Sequence, residues 1–310
     1  MKWLFLALGL RPAVAAAQQP FTYTITGHLG PLPPTSLVYL RQNGHILDSA
    51  RVRQGRFVLR GTSSHPQLVQ LLLTAEGVLP LKYRTTTQLP LDFRALFLEA
   101  TPMELTSPTG LRQAKLVAGP VNQDYSLFTS QWQALQDQWH GEWKPGDGVR
   151  LETLASYQRE RPHYQRLLTR FIQQHPASWV SLGLLEQRWL GPAQYDQVAP
   201  LYAGLSPSLR TSVPGRIYGQ LVDSLRTVAL GATAPDLTFT TPSGKRVSVR
   251  DYRGQYLLLL FWSSQCACGF ELKPTQQVYQ RYTGRPLTLL QVSVDDQAHR
   301  KQWLRAVADY

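Results

Sequence analysis

The stretch LLLLFWSSQCACGFELKP, residues 257–274, decides how this chain is read, because it holds both cysteines and marks where an apolar run gives way to a helical pattern. Tyr256 to Trp262 is continuously apolar, bounded by Arg253 and Gly254 before it and by Ser263 and Ser264 after it. This predicts a strand buried on both faces, of the kind found in parallel sheets. Ser263, Ser264 and Gln265 make a short loop, and from Ala267 to Tyr282 the positions Phe270, Pro274, Val278 and Tyr282 recur every four residues, a helical spacing. Cys266 and Cys268 therefore fall at a predicted helix N-terminus. Unpaired backbone N–H groups and the positive dipole end there stabilise a thiolate, lowering a cysteine pKa from roughly 8.5 into the reactive range. A nucleophilic or redox cysteine follows. On the residues alone two other readings stay open: a pair of small buried hydrophobes, or two thiolates of a soft-metal site, although no histidine or third cysteine lies nearby in sequence.

Downstream, Leu287 to Val294 predicts a second strand and Gln297 to Ala308 a second helix. Upstream, a domain boundary at Gly231 to Pro235 precedes a hairpin whose turn is Pro242, Ser243, Gly244 and Lys245. The order strand, helix, strand, helix demands a parallel pair with a right-handed crossover, hence an α/β sheet.

Three segments in this region form an ordered set: LGATAPDL at 230–237, SGKRVSV at 243–249 and DYRGQYLLLLFWSSQCAC at 251–268. Together they resemble the entry to the thioredoxin-like disulfide oxidoreductases of the bacterial envelope, the TlpA-like group of the AhpC/TSA superfamily. The peroxidase branch, whose reactive cysteine follows a proline and a threonine, is less similar, since neither residue type lies in the seven positions before Cys266. The resemblance implies a thioredoxin-like fold, catalytic roles for Cys266 and Cys268, no cofactor, and protein thiols and disulfides of the envelope as partners. Two departures stand beside it. Only Ala267 separates the cysteines, so the family's CxxC has become CxC, with Gln265 in place of the family tryptophan. Side chains at i and i+2 of a helix point nearly opposite ways, so a bond between Cys266 and Cys268 is expected to be strained and the couple more oxidising than its CxxC relatives. The second departure is that Tyr310 comes before the family's cis-proline strand pair and closing helix. The domain is therefore expected to be incomplete, with an uncovered strand edge that promotes self-association, and activity is expected to be impaired by both departures.

The opening MKWLFLALGLRPAVAAAQQ has Lys2, an apolar run from Trp3 to Leu10, and Ala15 and Ala17 in a small-residue cleavage pattern, which reads as a secretory signal over residues 1–17. The apolar run is too short to span a bilayer, and no transmembrane span is expected elsewhere. Export to the periplasm or cell envelope bears on the cysteines, because two almost adjacent thiols closing so small a loop constrain little of the unfolded chain, which favours a redox role over a structural one.

Residues 18–120 carry a β signature: alternation at Phe21, Tyr23 and Ile25, then Leu37 to Leu40, a turn at Asn43 and Gly44, another near Gln54 and Gly55, and strands at Val69 to Leu73, Leu91 to Leu98 and Met103 to Leu105. A small antiparallel sandwich is expected. The elements ITGHL, VYLRQNGHILDSARVRQGRFVLRG and LFLEATPMEL resemble a β-rich domain of unknown function that often precedes envelope thioredoxin domains. His28, His45 and His65 stand alone here, without a second ligand at a recognisable offset, so no metal site is read. Residues 121–228 turn helical and are read as a linker. Trp132, Leu135, Trp139 and Trp143 form one stripe suited to core packing, KPGDG at 144–148 ends that helix, and further helices are expected over Leu151 to His175 and Ser178 to Leu190. FIQQHPASWVSLGLL, 171–185, also resembles the helical region that joins the two parts in this family.

The expected fold class is thus multidomain α+β: an antiparallel β-sandwich, a helical segment, and an α/β thioredoxin-like half-domain over 229–310. The net charge of +12 raises nucleic acid as a partner, but the basic residues are scattered, with no run that tracks phosphate, and nucleic-acid binding is set aside. Two functions remain: a thiol-disulfide oxidoreductase, or a catalytically impaired relative serving as an envelope protein-binding module.

Overall fold

The computed structural model describes residues 19–79, 92–140, 149–186, 194–265, 272–282 and 284–309. The chain forms two compact units that divide between Ala229 and Leu230. The expected signal segment, KPGDG, Trp143 and both cysteines lie outside the described residues.

Among the described residues of the N-terminal unit, eight strands make two four-stranded sheets. They are β1 (Phe21–His28), β2 (Leu37–Gln42), β3 (His45–Arg51), β4 (Arg56–Ser63), β5 (Gln67–Thr74), β6 (Asp92–Leu98), β7 (Met103–Thr106) and β8 (Lys115–Val117). One sheet has the order β4-β1-β7-β8 and the other β3-β2-β5-β6. Alternation sets what faces inward: along β4, Phe57 and Leu59 are buried while Arg56, Val58 and Arg60 are exposed. Ile25, Leu40, Leu59, Leu71, Leu96 and Leu105 meet between the sheets as one fully buried cluster, each contributing roughly 1.5–3 kcal/mol by leaving water. The turns fall where Asn-Gly and Gln-Gly stand. Asn43 and Gly44, then Gln54 and Gly55, all have positive φ, the geometry that two-residue hairpin loops need to match strand twist. The second of these loops carries the chain from β3 in one sheet to β4 in the other.

One pairing departs from the antiparallel expectation, because β1 and β7 run parallel, with Ile25 opposite Met103. A tight hairpin forces antiparallel neighbours, but β7 arrives from β6 in the opposite sheet, and a connection that changes sheets carries no such constraint.

The helices are α1 (Pro120–His140), α2 (Val149–Gln174), α3 (Trp179–Glu186), α4 (Tyr195–Gly204), α5 (Pro207–Thr211) and α6 (Val213–Arg226). They pack on the outer face of the β5–β6 sheet. Leu96 and Leu98 of β6 point into the sandwich, so Phe97 between them points the other way, into a second core with Phe128, Phe171, Val180 and Leu184. Phe97 meets Tyr125 edge to face at 5.3 Å, and Trp132 meets Tyr164 likewise at 4.8 Å. Trp132 and Leu135 pack against this core, as the aromatic stripe predicts; the side chain of Trp139 lies outside the described ones.

A buried polar joint locks α1 to β6. The Asn122 carboxamide binds both backbone groups of Phe97, accepting from its N–H at 2.9 Å and donating to its carbonyl at 2.8 Å. The same amide donates to Glu99 at 2.5 Å. Glu99 also accepts from the backbone N–H groups of Val121 at 3.2 Å and Asn122 at 3.4 Å, so a carboxylate sits on the positive end of α1.

In the C-terminal unit β9 (Thr238–Thr240) and β10 (Arg246–Ser248) form the hairpin predicted around Gly244. A 3-10 turn (Val249–Tyr252) leads to β11 (Tyr256–Trp262), α7 (Leu272–Gln280), β12 (Leu287–Ser293), a further 3-10 turn (Gln297–His299) and α8 (Arg300–Asp309). β11 and β12 pair in parallel over seven residues, from Tyr256 opposite Leu287 to Trp262 opposite Ser293. The expectation that β11 is buried on both faces fails: Tyr256 is 77% exposed and Phe261 54%, whereas Trp262 is buried. A strand is covered on both faces only when layers lie above and below it. Among the described residues β11 and β12 are the whole of their sheet.

Replacing Asn122 by Ala is expected to cost about 2 kcal/mol, since the buried N–H and carbonyl of Phe97 lose their partner. Asn122→Asp, though isosteric, is expected to do worse near neutral pH by setting a second carboxylate against Glu99. Urea unfolding of the full chain followed by tryptophan fluorescence measures this; midpoints unchanged in both variants would show that the joint does not hold α1.

Candidate active site

The order of short segments before the cysteines has a mechanical basis within this chain. Asp236, from the Ala-Pro-Asp entry, accepts from Arg250 at 2.8 Å and from the Ser248 hydroxyl at 3.2 Å. Ser248 and Asp251 cap the 3-10 turn reciprocally: the Arg250 N–H donates to the Ser248 hydroxyl at 3.2 Å and the Ser248 N–H to Asp251 at 2.8 Å. The Asp236–Arg250 pair is too exposed to add much stability, but it fixes the direction in which the chain enters β11. Gly254 then turns the chain at φ 86°, a conformation that side chains resist even though open space surrounds it.

The parallel register of β11 and β12 brings together the residues that follow them. Past Trp262 come Ser263 and Ser264; past Ser293 come Val294 and Asp295. The Asp295 carboxylate gathers four donors. Oδ1 accepts from the hydroxyls of Ser263 at 2.8 Å and Ser264 at 3.0 Å, and Oδ2 from the hydroxyl of Ser293 at 2.6 Å. The Ser264 N–H is shared between the two oxygens at 3.1 and 2.9 Å. Ser263 in turn accepts from the Gln265 N–H at 3.1 Å, closing the turn. Partial burial raises the Asp295 pKa, but the bonds from Ser293, the Ser264 backbone and the hydroxyls of Ser263 and Ser264 outweigh it and bring the value down to about 2. Next to it Asp296 caps the following turn, accepting from the His299 N–H at 3.0 Å.

This cluster lies at the carboxyl ends of parallel strands, where open α/β sheets place their ligands. Cys266 follows Gln265 directly in the chain, and both Cys266 and Cys268 fall in 266–271, outside the described residues. The helix expected from Ala267 to Tyr282 is described over Leu272–Gln280. Local sequence marks Ser263 and Ser264 only as loop and does not distinguish Ser293 or Asp295. The available signal was two polar groups just beyond two strands predicted to be parallel neighbours. In the N-terminal unit, His28 lies 3.7 Å from Glu104, and His65 stacks on Trp179 at 5.7 Å beside an open cleft of about 900 Å³ that Gln67, Phe97, Glu186 and Ile217 also line. Among the described residues no helix is long and apolar enough to cross a membrane.

Because the folded-state pKa of Asp295 is depressed, its stabilisation is complete above the ordinary aspartate range near pH 4 and is lost as pH falls through about 2. Asp295→Asn is therefore expected to lower the urea midpoint of the C-terminal unit at pH 5 and to converge on the native chain near pH 2. A gap that stays constant across that range would contradict the assignment.

Residues 230–308 match the model of the AhpC/TSA family, and residues 23–125 that of a domain of unknown function, DUF4369. Two curated relatives share the C-terminal part: the thiol-disulfide oxidoreductase ResA of Geobacillus thermodenitrificans, 31% identical over 26% of this chain and 47% of its own length, and the thioredoxin-like protein YneN of Bacillus subtilis, 30% identical over 26% and 46%. The chain thus spans about half the length of these relatives. A solved thioredoxin domain of a thiol-disulfide oxidoreductase from Bacteroides vulgatus is 29% identical, covering 26% of this chain and 56% of that one, with a TM-score of 0.24. The C-terminal unit is a thioredoxin-like segment of the AhpC/TSA family, carried in one chain with an N-terminal DUF4369 domain.

Proposed function

We propose that this protein is a thioredoxin-like thiol-disulfide oxidoreductase of the bacterial envelope, acting through Cys266 and Cys268 on protein partners. The observation that carries this reading is the place of Cys266 in the AhpC/TSA segment, directly after the turn at the carboxyl end of β11. The Cys266 thiolate attacks one sulfur of a partner disulfide, forming a mixed disulfide and releasing the partner's other sulfur as a thiolate. The Cys268 thiolate then attacks Cys266 Sγ and releases the second partner sulfur. The partner disulfide is reduced by two electrons and the Cys266–Cys268 pair is oxidised to a disulfide; run backwards, the same steps oxidise a partner dithiol. The one-residue spacing favours a couple more oxidising than CxxC.

A second reading, a protein-binding module with a silent redox site, draws support from the aromatic-lined cleft beside Trp179. The two readings part on covalent chemistry. In the oxidoreductase, Cys268→Ser accumulates a mixed disulfide with a disulfide-bonded protein substrate, because only the second thiol releases it, whereas Cys266→Ser forms none. Equal trapping by the two variants would remove the assigned order, and no trapping by either favours the binding module.

Envelope location is part of the proposal, with cleavage after Ala17 so that the mature protein begins at Gln18. So is self-association through β11, whose outer edge is unpaired among the described residues and whose Tyr256 and Phe261 are exposed. Native mass spectrometry of the exported protein reads both at once. The expected species is a dimer of chains starting at Gln18; an unprocessed chain overturns the location, and a monomer at micromolar concentration overturns the association.

A further inference from the structure

The residues lining the cleft beside Trp179 all belong to the N-terminal unit. One wall is a single face of α3: Trp179, Leu182, Gly183 and Glu186 stand at i, i+3, i+4 and i+7, the spacing that sets residues in one row. Seven residues of helix rise about 10 Å, so the indole marks one end of the row and the carboxylate the other. A second wall comes from the first turns of α6, where Val213 and Ile217 are apolar yet 60% and 62% exposed. The sheet adds Leu68, Phe97 and an amide pair in which Gln42 Nε2 donates to Gln67 Oε1 at 2.8 Å. That bond leaves one amide donor and one acceptor of the pair unengaged among the described residues.

Charge narrows what such a cleft takes. The chain carries 32 Lys and Arg against 20 Asp and Glu, yet no lining residue is Lys or Arg and one, Glu186, is acidic. His65, stacked on the indole, has its pKa pushed down by burial and brings no standing positive charge near neutrality. Partial loss of water around the Glu186 carboxyl raises its pKa, a cost that a cation brought by a ligand offsets. A lysine or arginine side chain suits both features, since its stem lies on apolar surface while its charged head seeks a carboxylate. The amide pair matches the donor and acceptor of a peptide group, which a free amine lacks.

We propose that this cleft binds an extended peptide segment of a partner protein through a Lys or Arg side chain. The cationic head meets Glu186, neighbouring apolar residues meet Val213 and Ile217, and the peptide backbone meets Gln42 and Gln67. The assignment depends on neither reading of the cysteines, so its failure leaves both untouched.

The test is fluorescence anisotropy of the full chain with labelled heptapeptides Gly-Ser-Leu-Xaa-Leu-Ser-Gly, in which Xaa is Arg, Lys, Gln or Glu. On the native chain the Arg and Lys peptides are expected to bind about tenfold more tightly than the Gln and Glu peptides. A net charge of +12 acts in the opposite sense, so long-range attraction does not mimic this result. Glu186→Gln removes the preference, Glu186→Lys reverses it in favour of the Glu peptide, and Ile217→Ser weakens all the peptides by a common factor. Both positions are exposed, so the variants are expected to fold, and the comparison of peptides on the native chain needs no variant. Equal affinity for the peptides, no binding at millimolar concentration, or a preference that Glu186→Lys leaves unchanged overturns the assignment. So does competition by arginine amide as tight as binding of the Arg peptide, which makes the cleft a site for small organic cations instead.

Discussion

The parallel pairing of β11 with β12 is the constraint on which the C-terminal unit depends. A parallel pair cannot be closed by a tight turn, so the chain must leave the end of β11, travel along α7 and return to the start of β12. The consequence is that the two carboxyl ends lie side by side, and whatever residues follow them are brought within reach of each other. Here Ser263, Ser264 and Asp295 follow the strands, and with Ser293 at the end of β12 they form short hydrogen bonds around a single carboxylate. The segment with the cysteines begins where that cluster ends.

The N-terminal unit is organised by a different strand. β6 has apolar residues on both of its faces, with Leu96 and Leu98 in the sandwich core and Phe97 among the helices. That arrangement makes a third layer obligatory, because an exposed Phe97 face would leave a broad apolar surface in water. The polar cost of docking a helix end against a sheet is met by Asn122 and Glu99. They replace water at the backbone of Phe97 and at the first turn of α1. The helical region is therefore built into the unit that contains the sandwich, as its outer layer.

In the proposed reaction the work is divided between residues of two kinds. Cys266 and Cys268 are assigned there as nucleophile and resolving thiol. The network around Asp295 supplies no chemistry of its own, and its anion is satisfied so fully that it stays charged far below the usual aspartate range. A group tied up in that way is unsuited to accept a proton near neutrality, which leaves a mechanical role as the one its bonds describe.

By itself the sequence determined what is local. Asn43–Gly44 and Gly244 mark turns because few other residues tolerate positive φ, and the alternation at Phe57 and Leu59 or the run at Leu287 to Val292 records strand periodicity directly. The order of strands and helices around the cysteines likewise dictated a parallel pair, and the thioredoxin-like resemblance was carried by segments whose internal contacts, such as Asp236 with Arg250, span fewer than twenty residues. What only the tertiary structure decided is long-range. That β1 accepts β7 in parallel depends on a crossing between sheets, and the burial of β11 depends on layers above and below rather than on its own apolar run. That Asp295 holds Ser263 and Ser264 follows from register alone. A polar residue at a strand end looks the same in sequence whether it faces water or a neighbouring strand's end, because hydrogen-bond partners thirty residues apart leave no periodic trace.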